Sequence, residues 1–153
     1  MVDSDATLFS ETQRARQPWL WAILAWALVA ALRRRNREKH GWRRVPLVFG
    51  AVLFLWSVRL TTAVDEDGVA VRLSPLHPTA RRIPLDAIDG YEAVRYRPLL
   101  EFGGWGIRWR PGTLAYTTSG RDAVVLKRSG RRDLLVGTQR PDEFVAALDR
   151  ALP

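Results

Sequence analysis

The chain has 153 residues, about the length of one domain, and its hydrophobic fraction of 47% is enough to fill one core. It contains no cysteine, which excludes a disulfide framework, a thiolate metal site and a cysteine nucleophile. The formal net charge of +8 leaves two classes to consider, a nucleic-acid-binding protein and a membrane-associated protein.

The excess positive charge is concentrated in one short stretch. Residues 33–44 carry seven basic side chains and one acidic one, whereas residues 60–153 carry 14 basic and 12 acidic side chains. A folded nucleic-acid-binding domain more often spreads its arginines over a recognition surface. The charge distribution therefore favours membrane association, and no nucleic-acid partner is predicted.

Two uncharged runs, Pro18–Leu32 and Val45–Val58, flank the basic stretch. Each is shorter than the roughly 20 residues that span a hydrocarbon core of about 30 Å, so a buried core helix is an alternative. Neither run has a polar face, however, and a core helix of a small protein usually has one. A cleaved signal peptide is disfavoured because arginines, rather than a small-residue cleavage site, follow the first run.

These features predict a two-helix transmembrane hairpin at 18–60. Its helices are expected at about 18–32 and 45–60, with a basic loop at 33–44 and a polar N-terminal tail at 1–17. Tryptophan rings favour the headgroup zone, and arginines can extend to it from the helix ends. The predicted membrane-interface residues are Trp19, Trp21, Trp42, Trp56, Arg33, Arg34, Arg35, Arg43 and Arg44. The lipid bilayer is thus a predicted partner, and the protein is predicted to be integral to the cell membrane.

From Leu60 onward the pattern changes to short alternating segments separated by turn signals such as Asp67-Gly68 and Ser129-Gly130. About seven to eight short strands at regular spacing predict an antiparallel β-barrel or sandwich. The last segment, about 139–152, has Phe144, Val145 and Leu148 at helical spacing, which predicts an amphipathic helix that caps the sheet. The predicted fold class is α+β.

The amino-acid sequence of residues 101–148 is similar to the sequences of a family of uncharacterised bacterial membrane proteins. The segments that match best are Gly103–Arg108, Thr118–Gly120 and Gly137–Phe144. Members of that family join an N-terminal membrane hairpin to a pleckstrin-homology-like domain. The resemblance implies such a domain over residues 61–153. It does not imply an activity, because one fold supports many functions.

No motif in the chain predicts catalysis. Gly103–Gly106 lacks the spacing and the lysine of a phosphate-binding loop, and it is predicted to be a turn. Residues Asp65–Asp67 lack the remainder of a calcium loop, so the following Gly68 favours a hairpin turn. Trp105 and Trp109 share one strand face, and a core position is favoured over an exposed platform. The protein is predicted not to be an enzyme, with no catalytic residue, cofactor or metal.

One further cluster is a candidate anion or partner surface, with a solvated hairpin as the alternative: Lys127, Arg128, Arg131 and Arg132. The acidic loop Asp65–Asp67 argues against binding of phosphoinositides, because carboxylates repel a phosphorylated headgroup. The sequence therefore predicts a membrane-anchored binding or scaffold module that acts by protein interaction or self-assembly. The alternatives are an accessory subunit of a membrane enzyme or transporter, and an anionic-lipid-binding domain.

The side of the membrane that the C-terminal domain faces stays open at this level. The basic residues of the loop at 33–44 favour the cytoplasmic side for that loop, which puts both termini outside. The family resemblance implies instead a cytoplasmic domain. The charge rule is the more physical of the two arguments.

Overall fold

The computed structural model describes residues 7–14, 18–35 and 44–152 of the chain. The described strands are β1 (Thr7–Arg14), β2 (Arg59–Asp65), β3 (Gly68–Ser74), β4 (Arg81–Pro84), β5 (Gly90–Arg95), β6 (Gly106–Arg110), β7 (Thr113–Thr117), β8 (Asp122–Lys127) and β9 (Asp133–Gly137). The described helices are α1 (Pro18–Arg35), α2 (Arg44–Ser57), α3 (Pro98–Phe102), α4 (Pro141–Ala151) and a short 3₁₀ helix at Leu85–Ala87. Strands β2 to β9 lie where turn signals and alternation predict them.

The first sheet has the strand order β1-β2-β3-β4, and all its pairs are antiparallel. Strand β1 lies within residues 1–17, for which the sequence predicts a polar tail. It pairs with β2 along its length, and Arg14 is opposite Arg59 where the two strands meet the helices. The helical hairpin α1–α2 therefore takes the place of the connection between two neighbouring strands.

The second sheet has the strand order β5-β8-β9-β7-β6. Strand β9 lies between β8 and β7, so that β7 and β9 run parallel while the other pairs are antiparallel. The prediction of an antiparallel barrel or sandwich is wrong in two respects: the described strands form two separate sheets rather than a closed barrel, and one strand pair is parallel. In a simple meander β8 would lie beside β7, and here β9 occupies that place.

The prediction of a transmembrane hairpin in an integral membrane protein is also wrong. Among the described residues, no helix is both long enough and apolar enough to cross a bilayer. Helix α2 has 14 residues, which at 1.5 Å per residue gives about 21 Å against a hydrocarbon core of about 30 Å. The last three residues of α1 are arginines. Helix α2 also ends at Ser57 rather than 60, because Arg59–Asp65 begin the first sheet.

The main core lies between the sheets and α4. Phe144, Ala147 and Leu148 of α4 are fully buried there, together with strand residues such as Leu60 and Val124. The helix occupies Pro141–Ala151, within the predicted range of about 139–152. Its burial agrees with the expectation that its apolar stripe covers the sheet.

Strand β1 contributes buried polar side chains to this unit. The Glu11 carboxylate accepts hydrogen bonds from Thr138 Oγ1 at 2.5 Å and from the Gln139 backbone nitrogen at 2.9 Å. Gln13 Nε2 donates to the Gly137 carbonyl at 2.8 Å. Glu11 and Gln13 are 8% and 3% exposed, so these bonds are largely screened from water. We call β1 to β9 with α3 and α4 the β unit.

The predicted hairpin turn at Asp67-Gly68 is confirmed. Asp65 Oδ1 accepts hydrogen bonds from the backbone nitrogens of Asp67 and Gly68 at 3.1 and 3.0 Å. Gly68 has φ of 154°, and a Cβ placed there would lie 2.2 Å from the Ile83 carbonyl oxygen. A close backbone approach therefore explains the glycine.

Candidate functional site

The first candidate site is the outer surface of the helical hairpin. Helices α1 and α2 contact each other, yet large apolar side chains on both remain 42–74% exposed. We call this set the apolar hairpin surface, and it consists of Ile23, Trp26, Val29, Leu32, Leu47, Phe49, Leu53, Phe54 and Trp56. Many large exposed apolar side chains on a folded protein indicate an interaction site.

The exposed side chains follow helical spacing. On α1, Ile23, Trp26 and Val29 are three residues apart, and on α2, Phe49, Leu53 and Trp56 are separated by four and then three residues. Positions three and four apart lie on the same face of a helix. Each helix thus presents an apolar stripe of the kind that packs against another helix.

An apolar groove continues this surface onto the β unit. Phe54, Leu55 and Val58 at the end of α2 line it on one side, and Leu73, Leu76, Leu99, Thr117, Thr118 and the bend from Gly103 to Gly106 with Arg108 line the remainder. Its volume is about 320 Å³. The glycine bend is a turn, as predicted, with positive φ at Gly103, Gly104 and Gly106.

The structure separates the predicted membrane-interface residues. Trp56 is 62% exposed and Arg33 is exposed, whereas Trp21 is half-buried on α1. Four others lie in the helices with side chains outside the described set, namely Trp19, Arg34, Arg35 and Arg44. Trp42 and Arg43 lie outside the described residues.

The second candidate site is a basic depression on the β unit. It has a volume of about 550 Å³ and opens to solvent between the start of β4, the β6–β7 turn and the β8–β9 turn. We call it the arginine depression, and its lining residues are Arg81, Gly112, Leu114, Arg128, Gly130, Arg131 and Arg132. Three of the four residues predicted as an anion or partner surface are among them.

Arg128 is the buried member of this cluster, at 8% exposure. Its Nε donates to the Arg132 carbonyl oxygen at 2.9 Å, and a second guanidinium nitrogen donates to the same oxygen. Burial lowers the pKa of the Arg128 guanidinium, and the positive charges of Arg81 and Arg131 lower it further, while Asp133 raises it. The cluster therefore concentrates positive charge around a desolvated arginine.

The predicted anion or partner surface differs from the basic lining of the arginine depression by two residues, since it includes Lys127 and omits Arg81. Lys127 pairs with Glu92 at 3.5 Å and does not line the depression. Arg81 also lines the depression, but it is more than forty residues away from the β8–β9 turn in the sequence. Only the packing of the first sheet against the second brings it there. No local sequence signal marks that contact.

Trp109 is 62% exposed, so the predicted core position for it is wrong. The Arg132 guanidinium lies over its ring, 5.2 Å from the centroid. Trp105 Nε1 instead donates to the Gly120 carbonyl at 3.1 Å. Trp109 therefore helps to place an arginine at the edge of the depression.

Comparison with known proteins adds no family to these observations: no family model, no curated protein and no solved structure matches the chain. The resemblance to membrane proteins with a pleckstrin-homology-like domain stays a prediction. Within residues 7–14, 18–35 and 44–152, no group of three potential metal ligands is close enough together to hold an ion.

Proposed function

We propose that this protein is a non-catalytic binding module that self-assembles through its helical hairpin, with two copies completing a four-helix bundle. The observation that carries the proposal is the exposure of large apolar side chains on both helices. The dimer would then carry two β units. It would provide two identical binding surfaces at a defined separation.

The apolar hairpin surface is large enough for a specific dimer. The six side chains of the two stripes each present on the order of 100 Å² to water, since a large aromatic side chain has an area of about 150–250 Å², and together they present roughly 600–700 Å². Specific interfaces bury about 600–1,000 Å² on each partner. Covering this surface by a second copy meets that requirement.

The absence of charge favours a second copy as the occupant. Residues 18–32 and 45–58 contain no charged side chain, so the surface offers nothing to pair with a charged partner. An identical hairpin supplies the same uncharged stripes, with helical spacing on both helices. A two-fold interface requires this self-complementarity, because the same residues serve both partners.

Charge also favours one relative direction of the two hairpins. The segment that joins α1 to α2 in the sequence, residues 33–44, carries seven basic side chains, and we call this end of the hairpin its tip. Two tips side by side would repel, whereas an antiparallel arrangement places each tip at the opposite end of the bundle. We therefore expect the middle of α1 to lie near the two-fold axis and the tips to lie far apart.

Sedimentation equilibrium of the full chain tests the proposal. We expect a dimer, and we expect Trp56→Gln to shift the monomer–dimer equilibrium toward monomer by at least about tenfold, since an aromatic residue buried in an interface commonly contributes about 2 kcal/mol or more. Trp109→Gln is the matched control, because Trp109 in the β unit has the same exposure of 62%. It should leave the equilibrium unchanged.

The absence of cysteine permits a second measurement. A single cysteine at Ala25, exposed near the middle of α1, should form a disulfide between copies, and one at Arg33 should not. Cross-linking at Arg33 alone would overturn the antiparallel arrangement. A chain that stays monomeric, or that leaves solution for phosphatidylcholine vesicles instead of dimerising, would overturn self-assembly.

A further inference from the structure

We propose that the arginine depression binds the phosphate group of an anionic ligand. The site is separate from the apolar hairpin surface, so this inference does not depend on self-assembly. Four arginines converge on it from two chain segments, Arg81 from β4 and the other three from the β8–β9 turn.

The arginines of the depression form no ion pair with the described residues. In the described part of the chain, no carboxylate oxygen lies within the 4.0 Å of an ion pair from Arg81, Arg128, Arg131 or Arg132. The neighbouring Arg82 shows the contrast, because it pairs with Asp65 at 3.0 Å and with Asp67 at 3.2 Å. Successive residues of a strand face opposite sides, which directs Arg81 away from those carboxylates.

Two of the arginines are held in place before any ligand binds. The buried Arg128 guanidinium is fixed by its two hydrogen bonds to the Arg132 carbonyl, and a guanidinium has further N–H donors to offer. The Arg132 guanidinium is held against the Trp109 ring. Ordered donors lose less conformational entropy on binding, so they favour a specific site over a diffuse basic surface.

The depression also leaves room for a ligand beside the backbone. Gly112 and Gly130, with φ of 80° and 69°, lie in the two turns that border it, and a Cβ at either position would meet no atom within 4 Å. Two carboxylates bond the backbone of the β8–β9 turn: Asp133 Oδ1 accepts from the Arg128 nitrogen at 3.4 Å, and Asp89 Oδ2 accepts from the Ser129 nitrogen. Both carboxylates are thus engaged by the backbone.

A phosphate group matches this set of donors. Its several oxygens accept from more than one guanidinium, and arginine forks bind phosphate oxygens in pairs. A dianion also relieves the repulsion among the clustered arginines, which adds to burial in lowering the pKa of Arg128. A soluble phosphomonoester and a phospholipid headgroup share this chemistry.

Titration calorimetry of the full chain with inorganic phosphate, at constant ionic strength, tests the site. We expect saturable binding, and we expect Arg81→Gln and Arg131→Gln each to raise Kd by at least about tenfold, since each removes charge-assisted hydrogen bonds. Both side chains are exposed, so the substitutions should not affect folding. Arg121→Gln is the control, because it removes the same charge from an exposed position outside the depression.

Co-sedimentation with vesicles distinguishes the two sources. Vesicles of phosphatidylcholine with phosphatidic acid are compared with vesicles of phosphatidylcholine alone. Extra binding to the first that depends on Arg81 and Arg131, with no calorimetric signal from inorganic phosphate, assigns the site to a lipid headgroup. The proposal is overturned if neither probe binds, or if Arg121→Gln weakens binding as much as the two depression variants do.

Discussion

The helical hairpin and the β unit differ in where their apolar side chains lie. In the β unit, residues such as Val69, Leu126 and Phe144 are fully buried between sheets and helix. In the hairpin, Trp26 and Leu47 are 74% and 73% exposed. A high apolar content therefore does not by itself produce a core. The β unit has enough layers to bury its own apolar residues, and a pair of helices does not.

Alternation in the sequence explains this difference. Strands β1 to β3 of the first sheet alternate between buried and more exposed positions, as in β2, where Leu60, Thr62 and Val64 are buried. The runs 18–32 and 45–58 have no charged residue, and Ser57 is their one polar residue, so neither has a polar face to turn to water. A helix that is apolar on all sides requires a second surface. The β unit is thus expected to control stability, and the helical hairpin to control association.

The largest effect on folding is expected from two truncations, one that removes the hairpin alone and one that also removes β1. Replacing residues 18–57 by a short Gly-Ser linker should preserve cooperative unfolding, because Arg14 and Arg59 are paired neighbours that a short loop can join. A chain that begins at Arg59 lacks β1 as well, and it should lose cooperative unfolding. It loses the Phe9 ring stacked on Phe144 at 5.0 Å and the buried bonds of Glu11 and Gln13.

Chemical denaturation followed by circular dichroism compares the two truncated chains. Sedimentation supplies the complementary measurement, since the linker variant should be monomeric. If the chain beginning at Arg59 unfolded as cooperatively as the linker variant, β1 would not be part of the folding unit.

A substitution in the core should change stability without changing association. Phe144→Ala should lower the free energy of unfolding by about 3–5 kcal/mol, because Phe144 is fully buried and its removal leaves a cavity. Glu143→Ala, one residue earlier and exposed, removes only a surface ion pair with Arg140 and should cost about 1 kcal/mol or less. Neither should alter the monomer–dimer equilibrium under native conditions, whereas Trp56→Gln should alter that equilibrium alone.

The buried polar contacts of β1 are expected to contribute less than this. Gln13→Ala leaves the Gly137 carbonyl and the Thr118 hydroxyl without the Gln13 side chain, at a cost of about 1–3 kcal/mol. Ser10→Ala on the same strand is the control, because Ser10 is exposed and the Arg140 guanidinium bonds to its backbone carbonyl. Equal denaturation midpoints for the two variants would show that these buried bonds do not hold β1.

The extent to which sequence predicts this fold follows from the same contrast. Turn signals such as Asp67-Gly68 and short alternating runs locate β2 to β9, and helical spacing locates α4, because these patterns are local. Strand β1 escapes prediction, since its inward positions include the polar residues Glu11 and Gln13, whose partners are more than a hundred residues away. The insertion of β9 between β8 and β7 depends on long-range pairing and has no local signal.

The candidate sites likewise combine features that the sequence predicts with features that depend on long-range contacts. The apolar runs and the basic turn at Arg128–Arg132 are visible in the sequence, because composition alone marks them. The sequence does not show how the two apolar runs are used, since flanking arginines and tryptophans favour a membrane hairpin, whereas the described helices are too short or not apolar enough to cross a bilayer. Arg81 in the depression and the exposure of Trp109 require knowledge of which strands meet.

The smallest expected effect is an alkaline loss of stability that belongs to the β unit alone. All three tyrosines lie there, and burial is the main cause that raises the pKa of Tyr96 above its ordinary value of about 10. A raised pKa in the folded state means that the protonated hydroxyl is favoured by folding. Its contribution is therefore fully present below the pKa of the unfolded chain and is lost as pH rises through the folded value.

Denaturation at several alkaline pH values measures this contribution. The free energy of unfolding should fall more steeply in the parent chain than in Tyr96→Phe, which has no hydroxyl to ionise. The linker variant without the hairpin should retain the steeper fall, because its tyrosines are unchanged. Tyr91→Phe provides a comparison, since the pKa of Tyr91 is raised mainly by a hydrogen bond to Asp149 rather than by burial. If deletion of the hairpin removed the alkaline dependence, the two regions would share their stability, and the division of roles between them would not hold.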